Sequence, residues 1–327
     1  MNGEVSSLTT LLSRTMALLA VFILTAVGPD HCRAAGATTG NDGEERIVFY
    51  SNRDGNDEIY VVRPDGKDLR RLTFNDADDG APAWSPDGTH IAFASDRHEA
   101  GSGQCSPACP DQIFIMRADG SGPSRLTQHE GVATLPAWSQ DGRHIAYTVV
   151  EGERRHIWVM NADGSDQRRL MTSPGEDLRP RFSPDGTELV FTRLLNGDMQ
   201  LFLVNADGTN LRQITNGPRW NVYASWSPDG TTFAFASLDP NDFEAEIHLI
   251  EVDGSNERAL TDEAGRDEDA EWSPDGKRIV FQTPRRGSYD IWVMNADGSG
   301  QRQITDHPAG DYWPDWTDRA TRYPDPE

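Results

Sequence analysis

The sequence predicts an all-β fold: a six-bladed β-propeller of four-stranded antiparallel blades, closed by N- and C-terminal strands that share one blade. The first of three observations behind this is a pentapeptide that keeps returning. Trp84-Ser85-Pro86-Asp87-Gly88 recurs as Trp138-Ser139-Gln140-Asp141-Gly142, Phe182-Ser183-Pro184-Asp185-Gly186, Trp226-Ser227-Pro228-Asp229-Gly230 and Trp272-Ser273-Pro274-Asp275-Gly276, then decayed as Asp315-Trp316-Thr317-Asp318. The aromatic positions lie 54, 44, 44, 46 and 44 residues apart, the length of one propeller blade. The second is a pair of markers present six times: a hairpin signal at Asp65-Gly66, Asp119-Gly120, Asp163-Gly164, Asp207-Gly208, Asp253-Gly254 and Asp297-Gly298, and a closing segment after each, such as Leu72-Thr73 or Ile304-Thr305. The third is complementarity of the ends. The first copy begins at a second strand, Arg46 to Ser51, and the last stops after a first strand, Trp313 to Trp316, so together they complete a sixth blade.

In chain order, residues 1–37 read as a signal peptide and leader. Residues 16–28 are the one sustained apolar run, Arg14 precedes it, and Ala34 to Ala37 offer small residues for cleavage near Ala35 or Ala37. Residues 38–45 are a linker, 46–317 the propeller and 318–327 a C-terminal tail. Within a repeat, Ala83-Trp84-Ser85 is a short first strand, turned by Pro86-Asp87-Gly88 because Pro fixes φ and Gly accepts φ > 0. His90 to Ser95 alternates as a second strand. Gln112 to Met116 is the third, and Ser124 to Thr127 a short, partly charged edge. Cys105 and Cys109 bracket a Ser-Pro turn inside the excess that lengthens the first spacing; in an exported chain this pair reads as a local disulfide.

The motifs W-S-P-D-G, I-A-F-x-S, Arg53-Asp54-Gly55-Asn56, I-W-V-M-N-A-D-G-S and R-L-T resemble the repeat of TolB-like propellers, over about residues 46–317. Such repeats also occur in the propeller domains of prolyl-oligopeptidase-type enzymes. The resemblance implies a propeller scaffold, here read as a stand-alone propeller without the N-terminal domain of TolB. It does not by itself imply an activity, because the motif residues are those that build blades.

The chain carries 53 acidic and 30 basic residues, a formal net charge of −23, which excludes nucleic acid and anionic membranes as natural partners. No nucleophile elbow, phosphate-binding loop or zinc-protease motif is present, so a non-enzymatic reading is preferred. The selective signal lies three residues before the Pro or Ala that precedes each aromatic motif: Asp79, Ala133, Asp177, Asn221, Asp267 and Asp311. Read as loop positions leading into the inner strands, they form a ring at one channel mouth. Asp76, Asp78, Glu130, Glu176, Asp262, Glu263, Glu268 and Asp269 make that face acidic, and Trp220, Tyr312 and Trp313 are aromatic additions beside it.

Two functions follow as expectations. One is an exported, monomeric scaffold binding a protein or peptide, basic ones included, with Asp79, Asp177, Asn221, Asp267, Asp311, Trp220, Tyr312 and Trp313 as ligand-binding residues. The alternative is a polysaccharide lyase or glycoside hydrolase with carbohydrate as ligand. In either, Asp177, Asp267 and Asp311 are the candidates for holding Ca²⁺. The bland reading of the same aspartates is that each accepts hydrogen bonds from its own loop backbone.

Overall fold

The computed structural model describes residues 44–97 and 109–320. The apolar run at 16–28, its cleavage site and Cys105 lie outside the described residues; Cys109 is disulfide-bonded.

Every described strand belongs to one of six four-stranded antiparallel sheets. The blades are numbered here from the N-terminus, each from its inner strand outward. Blade 1 takes its inner strand, Asp311–Ala320, from the C-terminal end and its other three, Glu44–Ser51, Glu58–Val62 and Arg70–Arg71, from the N-terminal end. Blades 2 to 6 are continuous in sequence, with inner strands Asp79–Trp84, Val132–Trp138, Glu176–Phe182, Trp220–Trp226 and Glu268–Trp272. The outermost strand of each blade is two residues long, which leaves little free edge to pair with another chain.

The repeated motifs have separate jobs. In the pentapeptide turn, the Ser85 hydroxyl donates to Asp87 Oδ1 at 2.6 Å, the Gly88 N–H donates to the Ser85 carbonyl at 2.8 Å, and Gly88 takes φ 67°. The same serine–aspartate bond closes the turns at Ser139, Ser183, Ser227 and Ser273. The hairpin glycine joins blades. A Cβ on Gly120 would sit 2.4 Å from the Leu72 carbonyl oxygen of the preceding blade, and one on Gly66 would sit 3.0 Å from that of Ile304. Gly66 therefore seals blade 1 against blade 6 by the contact that joins blades elsewhere. The seam is reinforced by Arg278 to Glu45 at 2.6 Å and by Arg302 donating to the Pro64 carbonyl at 2.6 Å. The closing threonines stitch the outer strand down: Thr73 Oγ1 accepts the Ile59 N–H at 2.9 Å, and Thr127, Thr215, Thr261 and Thr305 repeat the bond.

The apolar core lies between blades. One cluster joins Val48, Ile59 and Val61 of blade 1 to Ile91, Phe93 and Phe114 of blade 2, and another joins Ile47, Phe49 and Tyr60 to Val280, Ile291 and Val293 of blade 6. The second and third strands of the blades thus bury both faces along their middles, which explains how a chain only 36% apolar fills its interior.

The inner strands begin earlier than the sequence predicts. Five of the six ring positions, all but Asp267, sit inside these strands instead of in the loops before them. The cause is a β-bulge two residues further on, where Ala81, Leu135, Arg179, Tyr223, Asp269 and Trp313 all have φ between 48° and 61°. The bulge breaks the two-residue alternation by which a strand is recognised, so the first half of each strand looks like loop.

Candidate functional site

The inner strands define a central channel with two unlike ends. At the end where these strands begin, Asp79, Asp177, Asp267 and Asp311 are at most 2% exposed. Each faces an arginine of its own blade. Arg97 meets Asp79 at 2.5 Å, Arg193 meets Asp177 at 2.6 Å, and Arg53 meets Asp311 at 2.6 Å, while Arg285 holds Asp267 through two nitrogens. The guanidinium in turn lies over two aromatic rings. Arg53 is over Phe49 and Tyr60, Arg97 over Phe93 and Phe114, Arg193 over Phe191 and Phe202, and Arg285 over Phe281 and Trp292, at 4.8–5.7 Å from the centroids. Four blades therefore carry one device, in which a carboxylate fixes an arginine that clamps the next two strands.

The two remaining ring positions replace the whole pair. Ala133 stands opposite Val149, and His129 packs against Tyr147 and Trp158 at centroid distances of 5.7 and 4.8 Å. Asn221 stands opposite Ser237 and donates to Gln200 Oε1 at 2.9 Å, while Arg219 donates to the Ser237 hydroxyl. The bland expectation of backbone caps thus meets a different structural partner, an arginine side chain. Asp177, Asp267 and Asp311 each have a cation against them already. Among the described residues no group of three or more His, Cys, Asp or Glu gathers as a metal site.

The predicted aromatics pack inward. Trp220 meets Phe243 edge-on at 6.1 Å, and Tyr312 stacks on Tyr50 at 5.2 Å. Trp313 meets Tyr50 edge-on and joins Ala81, Ala94 and Leu135. Arg179 lies between the Tyr223 and Trp313 rings, 4.4 and 5.2 Å from their centroids, and forms a buried ion pair with Asp269. This group crosses the channel at its waist. At the end where the inner strands begin, next to Asp79, whose N–H donates to the Asp57 carbonyl at 2.7 Å, burial and the neighbours Asp78, Asp111 and Glu58 push Asp57 up to about 7, and burial with Asp96, Asp78 and Asp79 pushes Asp111 up to about 6.

The other end is open. Where the inner strands run into the pentapeptide turns, residues from all six blades line a cavity of about 310 Å³. Its wall is Trp84, Trp138, Phe182, Trp226, Trp272 and Trp316, and its rim carries Pro86, Pro184, Pro228 and Pro274, with Gln140 and Asp318 in the two variant copies. In five blades the residue before the aromatic lies inside: Ala83, Ala137, Arg181, Glu271 and Asp315. Arg181 donates through Nε and Nη2 to Glu271 Oε1 at 2.9 and 2.7 Å, a chord from blade 4 to blade 6. Ser225 of the intervening blade turns its hydroxyl onto the Ala270 carbonyl and leaves the chord free. Asp315 accepts the Trp84 backbone N–H at 2.6 Å; burial and the Glu271 charge push it up to about 7 against the pull of Arg181. Among the described residues it has no arginine or lysine at ion-pair distance.

Sequence reasoning missed Arg181, Glu271 and Asp315. The signal was present in the column before the aromatic, which reads Ala, Ala, Arg, Ser, Glu, Asp round the ring.

Comparison with known proteins agrees with this architecture. The TolB beta propeller domain family matches residues 108–239. Over those residues, about two-fifths of the chain, the propeller is similar to TolB. The Tol-Pal system protein TolB of Desulfosudis oleivorans is 33% identical over 102 residues, 31% of this chain and 21% of that protein. A TolB homolog from Chlorobium luteolum is 35% identical over 133 residues, 30% of its own length. The matched segments thus span less than a third of these relatives. Among solved structures, TolB from Acinetobacter baumannii superposes with TM-score 0.72 at 18% identity, covering 84% of this TolB-like chain and 67% of the other. A putative TolB from Agrobacterium tumefaciens superposes with TM-score 0.64 at 19% identity, covering 83% and 90%. At these identities the superpositions speak for the fold alone. No helix among the described residues is long and apolar enough to cross a membrane.

Proposed function

We propose that this TolB-like propeller is an exported, non-catalytic scaffold that binds a protein partner by admitting a short segment of it into the turn-side mouth of the channel. The observation that carries the reading is the cavity itself. Six aromatic side chains and four prolines surround a floor holding Arg181, Glu271 and Asp315, an apolar wall with a few placed charges of the kind that holds a ligand segment. Rigid rings and prolines also lose little conformational freedom when a partner covers them. Export is supported by the apolar run at 16–28 and by the disulfide-bonded Cys109. The net charge of −23 favours a basic partner and fast, salt-sensitive association.

The test is selection of displayed random peptides on the full chain, followed by calorimetric titration of the enriched sequences. Gln140 is exposed on the rim, in a turn that tolerates substitution, so Gln140→Lys introduces a cation at the entrance without touching the floor. The expected result is one-to-one binding that Gln140→Lys weakens and that about 1 M salt weakens for basic sequences. Selected peptides that bind wild type and Gln140→Lys alike would place recognition elsewhere on the propeller and overturn the reading.

A further inference from the structure

The floor of the turn-side cavity is unevenly charged, and the imbalance is local. The floor has two apolar residues, Ala83 and Ala137, and three ionisable ones, one arginine against two carboxylates, while Arg319 at the rim lies 3.6 Å from Asp318. Arg181 makes both of its close contacts with Glu271, leaving Asp315 without a cation. An acidic side chain there, half-buried and lining a cavity walled by tryptophans, is costly in its charged form unless something neutralises it. The neighbouring blades do not supply the counter-charge. The other carboxylates along the inner strands each have one: Asp79, Asp177, Asp267 and Asp311 have their clamping arginines, and Asp269 has Arg179.

We infer that the cavity is a receptor for a lysine side chain of the partner segment, with the ammonium on Asp315 and its methylene stem along Ala83, Ala137 and the surrounding tryptophans. This rests on the peptide-binding reading above and names what the segment must carry. Three features select lysine. The apolar part of the floor, Ala83 and Ala137, lies on blades 2 and 3, the first of which adjoins blade 1 with its Asp315, so a stem can lie on carbon while its head reaches oxygen. Asp315 Oδ2 is already engaged by the Trp84 N–H, so the carboxylate does not offer two free oxygens to a guanidinium fork, whereas a point-charge ammonium needs only one. The tryptophan wall supplies aromatic surface of the kind that favours a cation over a neutral isostere. Ammonium capture forms no covalent bond, and the existing Arg181–Glu271 pair stays as it is.

The test uses blocked pentapeptides of sequence Gly-Gly-Xaa-Gly-Gly with lysine, norleucine or arginine at the centre, and a norleucine peptide with a free N-terminal amine, titrated into the full chain. The lysine peptide is expected to bind about tenfold tighter than norleucine, the size of one charge-assisted hydrogen bond. Asp315→Asn keeps an acceptor for the Trp84 N–H and is expected to abolish that preference. Equal binding of lysine and norleucine overturns the inference without any variant, so a misfolded Asp315→Asn chain does not shelter it. Tighter binding of the arginine peptide, or of the free-amine norleucine peptide, would overturn the assignment to lysine. If norleucine and lysine bind alike and Gln140→Lys weakens both, the peptide-binding reading stands and lysine specificity alone falls; if neither they nor the selected peptides respond to Gln140→Lys, both fall.

Discussion

The two ends of the channel both carry carboxylates and use them for opposite kinds of chemistry. Where the inner strands begin, Asp79, Asp177, Asp267 and Asp311 are each matched by an arginine of the same blade, itself laid over two rings. Where the strands end, Arg181 pairs with Glu271, Asp315 has no cation at ion-pair distance, and both carboxylates line a cavity walled by aromatics. The contrast teaches that an acidic face is not evidence of a binding face. What distinguishes structural charge from available charge is whether a counter-charge has been built in, and here that changes over the length of one strand.

The largest expected effect tests the structural end. Asp177→Ala leaves Arg193 buried and without its carboxylate, and breaking such a pair costs about 3–5 kcal/mol. Urea unfolding measures it, and lysine-peptide binding at the far end should not change. Blade 3 shows how the loss can be repaired, since Ala133 and Val149 fill the equivalent positions with no charge at all. Asp177→Ala combined with Arg193→Val should therefore recover most of the stability lost by Asp177→Ala alone. A double variant as unstable as the single one would mean that the stacking of Arg193 on Phe191 and Phe202, and not the ion pair, holds the blade.

How much of this could be read from the chain follows from the same geometry. The blades, their number and their closure were legible because each motif makes a local bond whose partners sit at fixed offsets, such as Ser85 with Asp87 or Gly88 with Ser85. The ring aspartates were legible as a column for the same reason. Their arginines were not, because the offset varies: 18 residues from Asp79 to Arg97, 16 from Asp177 to Arg193, and 258 from Asp311 back to Arg53 across the closure. The bulge hid the rest. With Arg179 and Asp269 in left-handed backbone, residues two apart no longer share a face by simple alternation, and the channel-lining set cannot be counted off from the aromatic motif.

The second prediction sets the acid responses of the two ends against each other. Asp57 and Asp111 have folded values raised to about 7 and about 6, above their unfolded values near 4, so their contribution is present at low pH and lost as pH rises through those values. The turn carboxylates behave oppositely. The Ser183 and Ser227 hydroxyls hold Asp185 and Asp229 below the usual range, so their contribution is present above about pH 4 and lost as pH falls. Thermal stability should therefore peak on the acid side of neutrality and be lower at about pH 8 than at about pH 5.5. Asp57→Asn, which mimics the protonated form, should flatten that decline while leaving the loss below about pH 4 intact. A decline unchanged in Asp57→Asn would remove the Asp57, Asp78, Asp96 and Asp111 group as its origin.

The smallest effect lies at the rim. Gln140 is the one glutamine in a column that holds Pro86, Pro184, Pro228, Pro274 and, in the decayed copy, Asp318, and its turn is built like the proline ones: Ser139 Oγ donates to Asp141 Oδ1 at 2.6 Å and the Gly142 N–H donates to the Ser139 carbonyl at 2.9 Å. The backbone at this position is thus already in the conformation proline adopts in the sister turns. Gln140→Pro should stabilise by about 0.4–1 kcal/mol, chiefly by restricting the unfolded chain. It should also leave peptide binding unaltered, since it adds no charge at the entrance, in contrast to Gln140→Lys at the same position. Measured together, the two variants separate what the rim does for the fold from what it admits. A Gln140→Pro chain that is more stable yet binds the lysine peptide as weakly as Gln140→Lys would show that the glutamine amide itself takes part in recognition, and that blade 3 departs from the pentapeptide at this position for function.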